Sequence, residues 1–142
     1  PLRLVGSEMC IRDRYLDDEL VVEGYPKLLS ECVSNLIYNA IEHNPKLSEI
    51  EIRWQKVKQD AKTFALFAIQ DNGVGIGKEH LNHLTERFYM VSSARQRTSH
   101  GGSGLGLAIV SHALKKHGSH LFIESEPGRG SLFRFYLPAY EQ

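Results

Sequence analysis

The chain has 142 residues, 42% hydrophobic and 24% charged, which is enough for one domain with its own core and short for two. Lys and Arg number 17 and so do Asp and Glu, so no global charge draws in a polyanion and any phosphate chemistry must rest on a local site. The two cysteines, Cys10 and Cys32, allow at most one disulfide, which excludes a stapled secreted scaffold, and no apolar run approaches the roughly 20 residues that span a bilayer.

Residues 1–14 show neither an amphipathic period nor the charged-then-apolar order of a signal peptide. The stretch Val5 to Arg14 (VGSEMCIRDR) also resembles translated sequencing-adapter read-through, so residues 1–14 are set apart as a disordered, linker or artefactual segment. A short strand is expected at Leu20 to Val22, a turn at Gly24, and a helix whose first turn takes Pro26. From Lys27 to His43, Leu28, Cys32, Leu36 and Ala40, with Leu29, Val33, Ile37 and Ile41, recur every four positions as one buried stripe. Cys32 then reads as a packed, reduced thiol of a cytosolic compartment. Asn44-Pro45 ends the helix.

Two strands follow: Glu49 to Gln55 turns Ile50, Ile52 and Trp54 inward, and Thr63 to Gln70 is apolar on both faces, as in a central strand. A glycine loop from Asp71 to Gly77 leads into a short helix over Lys78 to Leu84 and then a polar stretch from Tyr89 to Gly102. The next helix is expected from about Gly104, burying Leu105, Ala108, Ile109 and Ala113, with Lys115, Lys116 and His117 at its negative pole and Gly118 as C-cap. Strands over Ser119 to Ser125 and Ser131 to Leu137 close the chain around the turn from Glu126 to Gly130. The fold class is α/β: a two-layer sandwich of one mixed, mainly antiparallel sheet with helices on one face.

Opposite the buried stripe of the long helix, Glu31, Asn35, Asn39 and His43 form a polar seam, spaced by four and drifting about 40° per step. Asparagines suit a nucleotide-phosphate site, because the neutral amide oxygen can ligate Mg²⁺ while the NH₂ group donates to phosphate. Taken alone, such a seam reads as solvated surface. The loop Asp71-Asn72-Gly73-Val74-Gly75-Ile76-Gly77 gives it company, since an ionised strand-end Asp accepts from an exocyclic amine and glycines let the backbone approach a flat ring. Gly101-Gly102-Ser103-Gly104-Leu105-Gly106-Leu107 opens a helix and offers free N–H groups and a positive dipole end to phosphates. It follows no strand and carries no Gly-Lys-Ser/Thr, so neither a Rossmann nor a P-loop reading fits.

In order and content these pieces resemble the GHKL ATPase superfamily over about Leu16 to Pro138. Asn35-Leu-Ile-Tyr-Asn39-Ala is similar to the N box, Asp71 to Gly75 to the first G box, Glu86-Arg-Phe-Tyr89 to the F box, and Gly102 to Leu107 to the second G box. The F box followed by Gly-x-Gly-Leu-Gly-Leu-Ala-Ile-Val resembles the sensor histidine kinase branch, and Thr85 to Tyr89 with Ala94-Arg-Gln-Arg97 looks most like its phosphate-regulon members.

The resemblance implies a Bergerat fold and a histidine kinase ATP-binding catalytic domain over residues 15–142. It implies ATP and Mg²⁺ as ligands. Asn35 and Asn39 would hold the metal, Asp71 would read the adenine amine, and Gly73, Gly75 and Ile76 would bound the base pocket. Glu31 takes the acidic N-box position and, with Asn35, the catalytic role; opposite an imidazole nucleophile it orients or assists only. His43, Tyr89, Gly102, Gly104, Leu105, Gly106, Leu107 and Ser131 complete the implied ATP contacts. Glu42 departs from the Lys that many relatives carry. Arg95 and Arg97, with Arg87 as a third, are candidates to neutralise γ-phosphate charge, in a segment from Met90 to Gly102 that reads as a lid based on Phe88 and Tyr89.

None of the seven histidines sits in a His-Glu-Leu-Arg-Thr-Pro-like setting, so the implied partners are a phosphoacceptor dimerisation domain of the same kinase and a response regulator, with no nucleic acid and no direct membrane contact. A cytoplasmic location goes with them. Two alternatives stay open: a degenerate nucleotide-binding or interaction module, and another superfamily member such as an anti-sigma serine kinase.

Overall fold

A computed structural model of the chain describes residues 2–5, 9–44, 48–86, 89 and 106–140. In chain order its elements are β1 (Leu2–Val5), β2 (Met9–Leu16), α1 (Pro26–His43), β3 (Glu49–Gln59), β4 (Lys62–Asp71), α2 (Lys78–Leu81), α3 (Gly106–Lys116), β5 (Phe122–Glu126) and β6 (Gly130–Pro138). The strands form one six-stranded sheet in the order β1-β2-β3-β4-β6-β5, antiparallel throughout except for the parallel pair β2 and β3. The expected mixed, mainly antiparallel sheet is therefore present, and β4 occupies the interior position that its apolar character called for.

Period-two alternation turns Ile50 of β3, Phe67 and Ile69 of β4, and Phe133, Phe135 and Leu137 of β6 to one face. Onto that face α1 lays Cys32, Leu36 and Ala40, and α3 lays Leu107, Val110, Ala113 and Leu114. Phe67 and Phe135 stack with ring centroids 5.3 Å apart. Each fully buried large side chain contributes roughly 1.5–3 kcal/mol of transfer free energy, so this single layer of contact holds the sandwich together. Cys32 is a free thiol, fully buried, and burial pushes its pKa up to about 12, so it is inert as a nucleophile.

The two helices are also tied end to end. His117, just beyond α3, donates from Nδ1 to the Ala113 carbonyl at 2.7 Å and accepts the Tyr25 N–H at Nε2 at 2.9 Å, which satisfies an otherwise orphaned donor at the start of α1. Gly118 has φ +68°, its N–H bonds the Lys115 carbonyl, and the Ser119 N–H bonds that of Leu114. That is a Schellman ending, as the C-cap reading required.

Four expectations are corrected. Leu20 to Val22 is not a strand; only Val22 pairs, in an isolated bridge with Ala139. The short helix ends at Leu81 and continues as turns, and β5 starts at Phe122, because the Ser119 hydroxyl bonds the Tyr136 carbonyl. The phase of α3 differs: Val110, Ala113 and Leu114 are buried whereas Ile109 is 39% exposed and Ala108 half-buried, because the helix must face α1 and the sheet together. Apart from these four, residues 1–14 carry β1 and most of β2.

Candidate functional site

The polar seam of α1 runs from the first turn of α3, which it meets at Asn35, to the C-terminal end of β4, which it reaches at His43 and Asn44. On α1, Asn35 donates from Nδ2 to the Glu31 carbonyl at 2.8 Å, which fixes the amide plane. Its Oδ1 lies 3.2 Å from where a Cβ on Gly106 would stand, so the seam and the second glycine cluster meet at this point. Asn39 is half-buried and Glu31 exposed. His43 is exposed at the end of α1, yet the packing around its ring lowers its pKa through desolvation, opposed by the charges of Glu42 and Asp71.

Asp71 ends β4 at 7% exposure. Its Oδ1 accepts the Gly73 N–H at 2.9 Å, and Asn44 and the Ser131 N–H also bond the carboxylate. Burial raises its pKa, while these hydrogen bonds and the nearby His43 pull it down. The carboxylate is thus a held acceptor at the end of β4.

The glycines of the loop are there for lack of room. A Cβ on Gly73 would stand 1.7 Å from the Asn44 Oδ1, and one on Gly75, whose φ is +73°, would stand 2.0 Å from the Glu126 carbonyl oxygen. The loop therefore lies directly against the end of α1 on one side and the β5–β6 turn on the other. That turn holds it by the Gly128 N–H to the Val74 carbonyl at 2.7 Å and by the Ile76 N–H to Ser125 Oγ at 2.8 Å. Ser131, paired with Asp71 across the sheet, is buried beside it.

The structure thus brings Asn35 against Gly106, and Asp71 beside Gly73 and Ser131 at the base of the loop that carries Gly75 and Ile76, with His43 within electrostatic reach of Asp71. Leu107 turns into the core. Tyr89 packs against the core, its hydroxyl 2.5 Å from His80 Nδ1 and its ring stacked on His83. Arg87, Phe88, Arg95, Arg97, Gly102, Gly104 and Leu105 lie outside the described residues. Two further residues join the site without a sequence motif to mark them. Asn44 reads in the sequence only as a helix stop, but its Nδ2 donates to the Ala40 carbonyl at 2.6 Å and its side chain bonds Asp71. Ser125 reads only as the last residue of a strand; its sole signal is a hydroxyl at a core-facing position beside a Pro-Gly turn.

These residues fit the ligands that the boxes imply. A buried, acceptor-only carboxylate suits an amine-bearing base, and a neutral amide oxygen, its nitrogen already engaged, suits a hard cation that takes oxygen ligands.

Residues 24–141 match the model of the histidine kinase-, DNA gyrase B- and HSP90-like ATPases. The chain is 47% identical over 123 residues to the phosphate regulon sensor protein PhoR of Haemophilus influenzae and 45% identical over 112 residues to that of Pseudomonas aeruginosa, covering 87% and 79% of this chain. It spans about a quarter of those relatives' length, 28% and 24%. Among solved structures it is similar to the mycobacterial sensor histidine kinase MprB, with a TM-score of 0.75 and 28% identity over 93% of this chain and 86% of that one. The chain belongs to the histidine kinase-, DNA gyrase B- and HSP90-like ATPase family.

Proposed function

We propose that this domain binds Mg-ATP at the corner formed by α1, β4 and α3 and passes the γ-phosphoryl group to a histidine on a separate dimerisation domain. From there it would go to an aspartate of a response regulator, in phosphate-regulon signalling. The observation that carries the reading is the buried Asp71 carboxylate, held by the Gly73 N–H at the mouth of a glycine loop with no room for Cβ atoms; the Asn35 amide oxygen, facing the start of α3, adds a second ligand-compatible group further along α1. Two relatives named as phosphate regulon sensor proteins support the signalling context.

In this reading Asp71 takes the exocyclic amine of the base, while Gly73, Gly75 and Ile76 give the ring a flat backbone wall. Asn35, with Asn39 one turn on, would hold Mg²⁺, which when bound neutralises phosphate charge and aligns the phosphoryl group for in-line transfer. Glu31, through its carbonyl, sets the Asn35 amide and assists from the seam. His43 flanks the site beside Asp71, and the first turn of α3, at Gly106, would point N–H groups toward the phosphates. Arg95 and Arg97, with Gly102, Gly104 and Leu105, would close over the γ-phosphate from the lid. The catalytic unit is residues 15–142, on the cytoplasmic side of a sensor. Among the described residues no helix is long and apolar enough to cross a membrane.

Calorimetric titration of the chain with ADP or a non-hydrolysable ATP analogue, with and without Mg²⁺, tests this. Micromolar binding strengthened by Mg²⁺ is expected, and Asn35→Ala should abolish the Mg²⁺ dependence without unfolding the domain. A folded sample that binds no nucleotide would transfer the reading to an interaction module.

A further inference from the structure

Ser125 lies half-buried on β5, on the strand face that Ile123 turns toward the core. Its Oγ has three polar partners: the Ile76 N–H at 2.8 Å, the Gly130 carbonyl at 2.9 Å and Ser131 Oγ at 2.8 Å. A serine hydroxyl has one proton and two lone pairs. The Gly130 carbonyl can only accept, so the Ser125 proton goes there. The two lone pairs then take the Ile76 N–H and the Ser131 O–H, and Ser131 is the donor of the pair.

This assignment decides what Ser131 can offer elsewhere. With its one proton committed to Ser125, its hydroxyl presents only lone pairs to any further partner. Ser131 sits opposite Asp71 in the β4–β6 register, both are buried, and an ionised carboxylate is likewise an acceptor without a proton. The floor of the corner is then a run of acceptors. A base edge carrying an amine satisfies it, whereas one carrying a carbonyl leaves oxygen facing oxygen.

We propose that Ser125 is a specificity-determining residue of the nucleotide site, acting through the Ser131 proton to make the base pocket select an amino-purine edge over an oxo-purine edge. This rests on the nucleotide-binding reading given above. Ser125 is a positioning residue: it touches no ligand, and its effect travels through Ser131 and the Ile76 amide.

The test is the ratio of ADP to GDP affinity, measured by calorimetry on the whole chain for the natural sequence, Ser125→Ala, Ser131→Ala and the double variant. In Ser125→Ala the Ser131 proton is released and can be offered to a carbonyl. The preference for ADP should fall by roughly fivefold or more, on the scale of one misdirected hydrogen bond. A loosened loop weakens both ligands alike and leaves the ratio unmoved, so the ratio separates specificity from support. Ser131→Ala should lower the ratio as well, and adding Ser125→Ala to it should change the ratio no further. If Ser125→Ala does not fold, Ser131→Ala still decides: an unchanged ratio there overturns the proposal, as does an unchanged ratio in folded Ser125→Ala. If the natural chain binds neither nucleotide, the nucleotide reading itself fails and takes this assignment with it.

Discussion

Asp71 shows how one residue answers to two demands. The site needs a buried carboxylate, and burying a charge is costly unless hydrogen bonds meet it. Gly73, Asn44 and Ser131 supply those bonds, yet desolvation still wins and the pKa is raised above its ordinary value of 3.8. A raised folded value means the folded state holds the proton more tightly than the unfolded chain. The contribution of Asp71 to stability is therefore fully present below pH 3.8 and is lost as pH rises through the raised value. Urea denaturation should show the natural chain losing stability relative to Asp71→Asn across that window. At neutral pH the same substitution should weaken ADP binding by roughly 10- to 100-fold, the loss of a charge-assisted hydrogen bond of ~1.5–3 kcal/mol. An Asp71→Asn protein with unaltered ADP affinity would remove Asp71 from the base pocket.

At the level of elements, two glycines with similar backbone angles carry different loads. Gly118, at φ +68°, closes α3 with nothing within 4 Å of where a Cβ would stand, so Gly118→Ala should cost only the left-handed backbone strain, about 1–2 kcal/mol. Gly75, at φ +73°, would bring its Cβ to 2.0 Å from a backbone carbonyl of the β5–β6 turn. Gly75→Ala should cost roughly twice as much and should also weaken nucleotide binding, since the loop cannot rest on the turn. Thermal denaturation of the two variants side by side checks the difference. The phase of α3 is testable the same way. Leu114→Ala, at 0% exposure, should destabilise by about 2–5 kcal/mol. Ile109→Ala, at 39% exposure, should change stability by no more than about 0.5 kcal/mol. The reverse ranking would restore the helix face expected from the sequence.

For the whole molecule, the core and the candidate site share one scaffold. The helix that buries Cys32, Leu36 and Ala40 presents Glu31, Asn35, Asn39 and His43 along its other side, so packing of α1 on the sheet sets the height of the seam above Asp71. The site draws on α1, β4, α3 and β6, whereas β1 and β2 pair at the far edge of the sheet, on β3. Removing residues 1–14 should therefore leave ADP affinity within about twofold of the whole chain, the scale of a change that touches no contact. A larger fall in the titration would show that the edge strands support the site, against a catalytic unit of residues 15–142.

What is local in this protein is legible along the chain. The four-residue period of α1 marks both its buried stripe and its polar seam, the crowded glycines mark a loop with no room for Cβ atoms, and strand alternation places Phe133, Phe135 and Leu137 inward. Each follows from the geometry of one element and the hydrophobicity of its own residues. The rest waits on elements meeting in space. Which face of α3 is buried depends on fitting two neighbours at once, which a period alone does not specify. The approach of Asn35 to Gly106, the bond from Asn44 to Asp71, and the direction of the Ser131 proton all join residues across the fold. Their cause is the packing of segments far apart in the chain, and a hydroxyl's proton is assigned only when every acceptor around it is known.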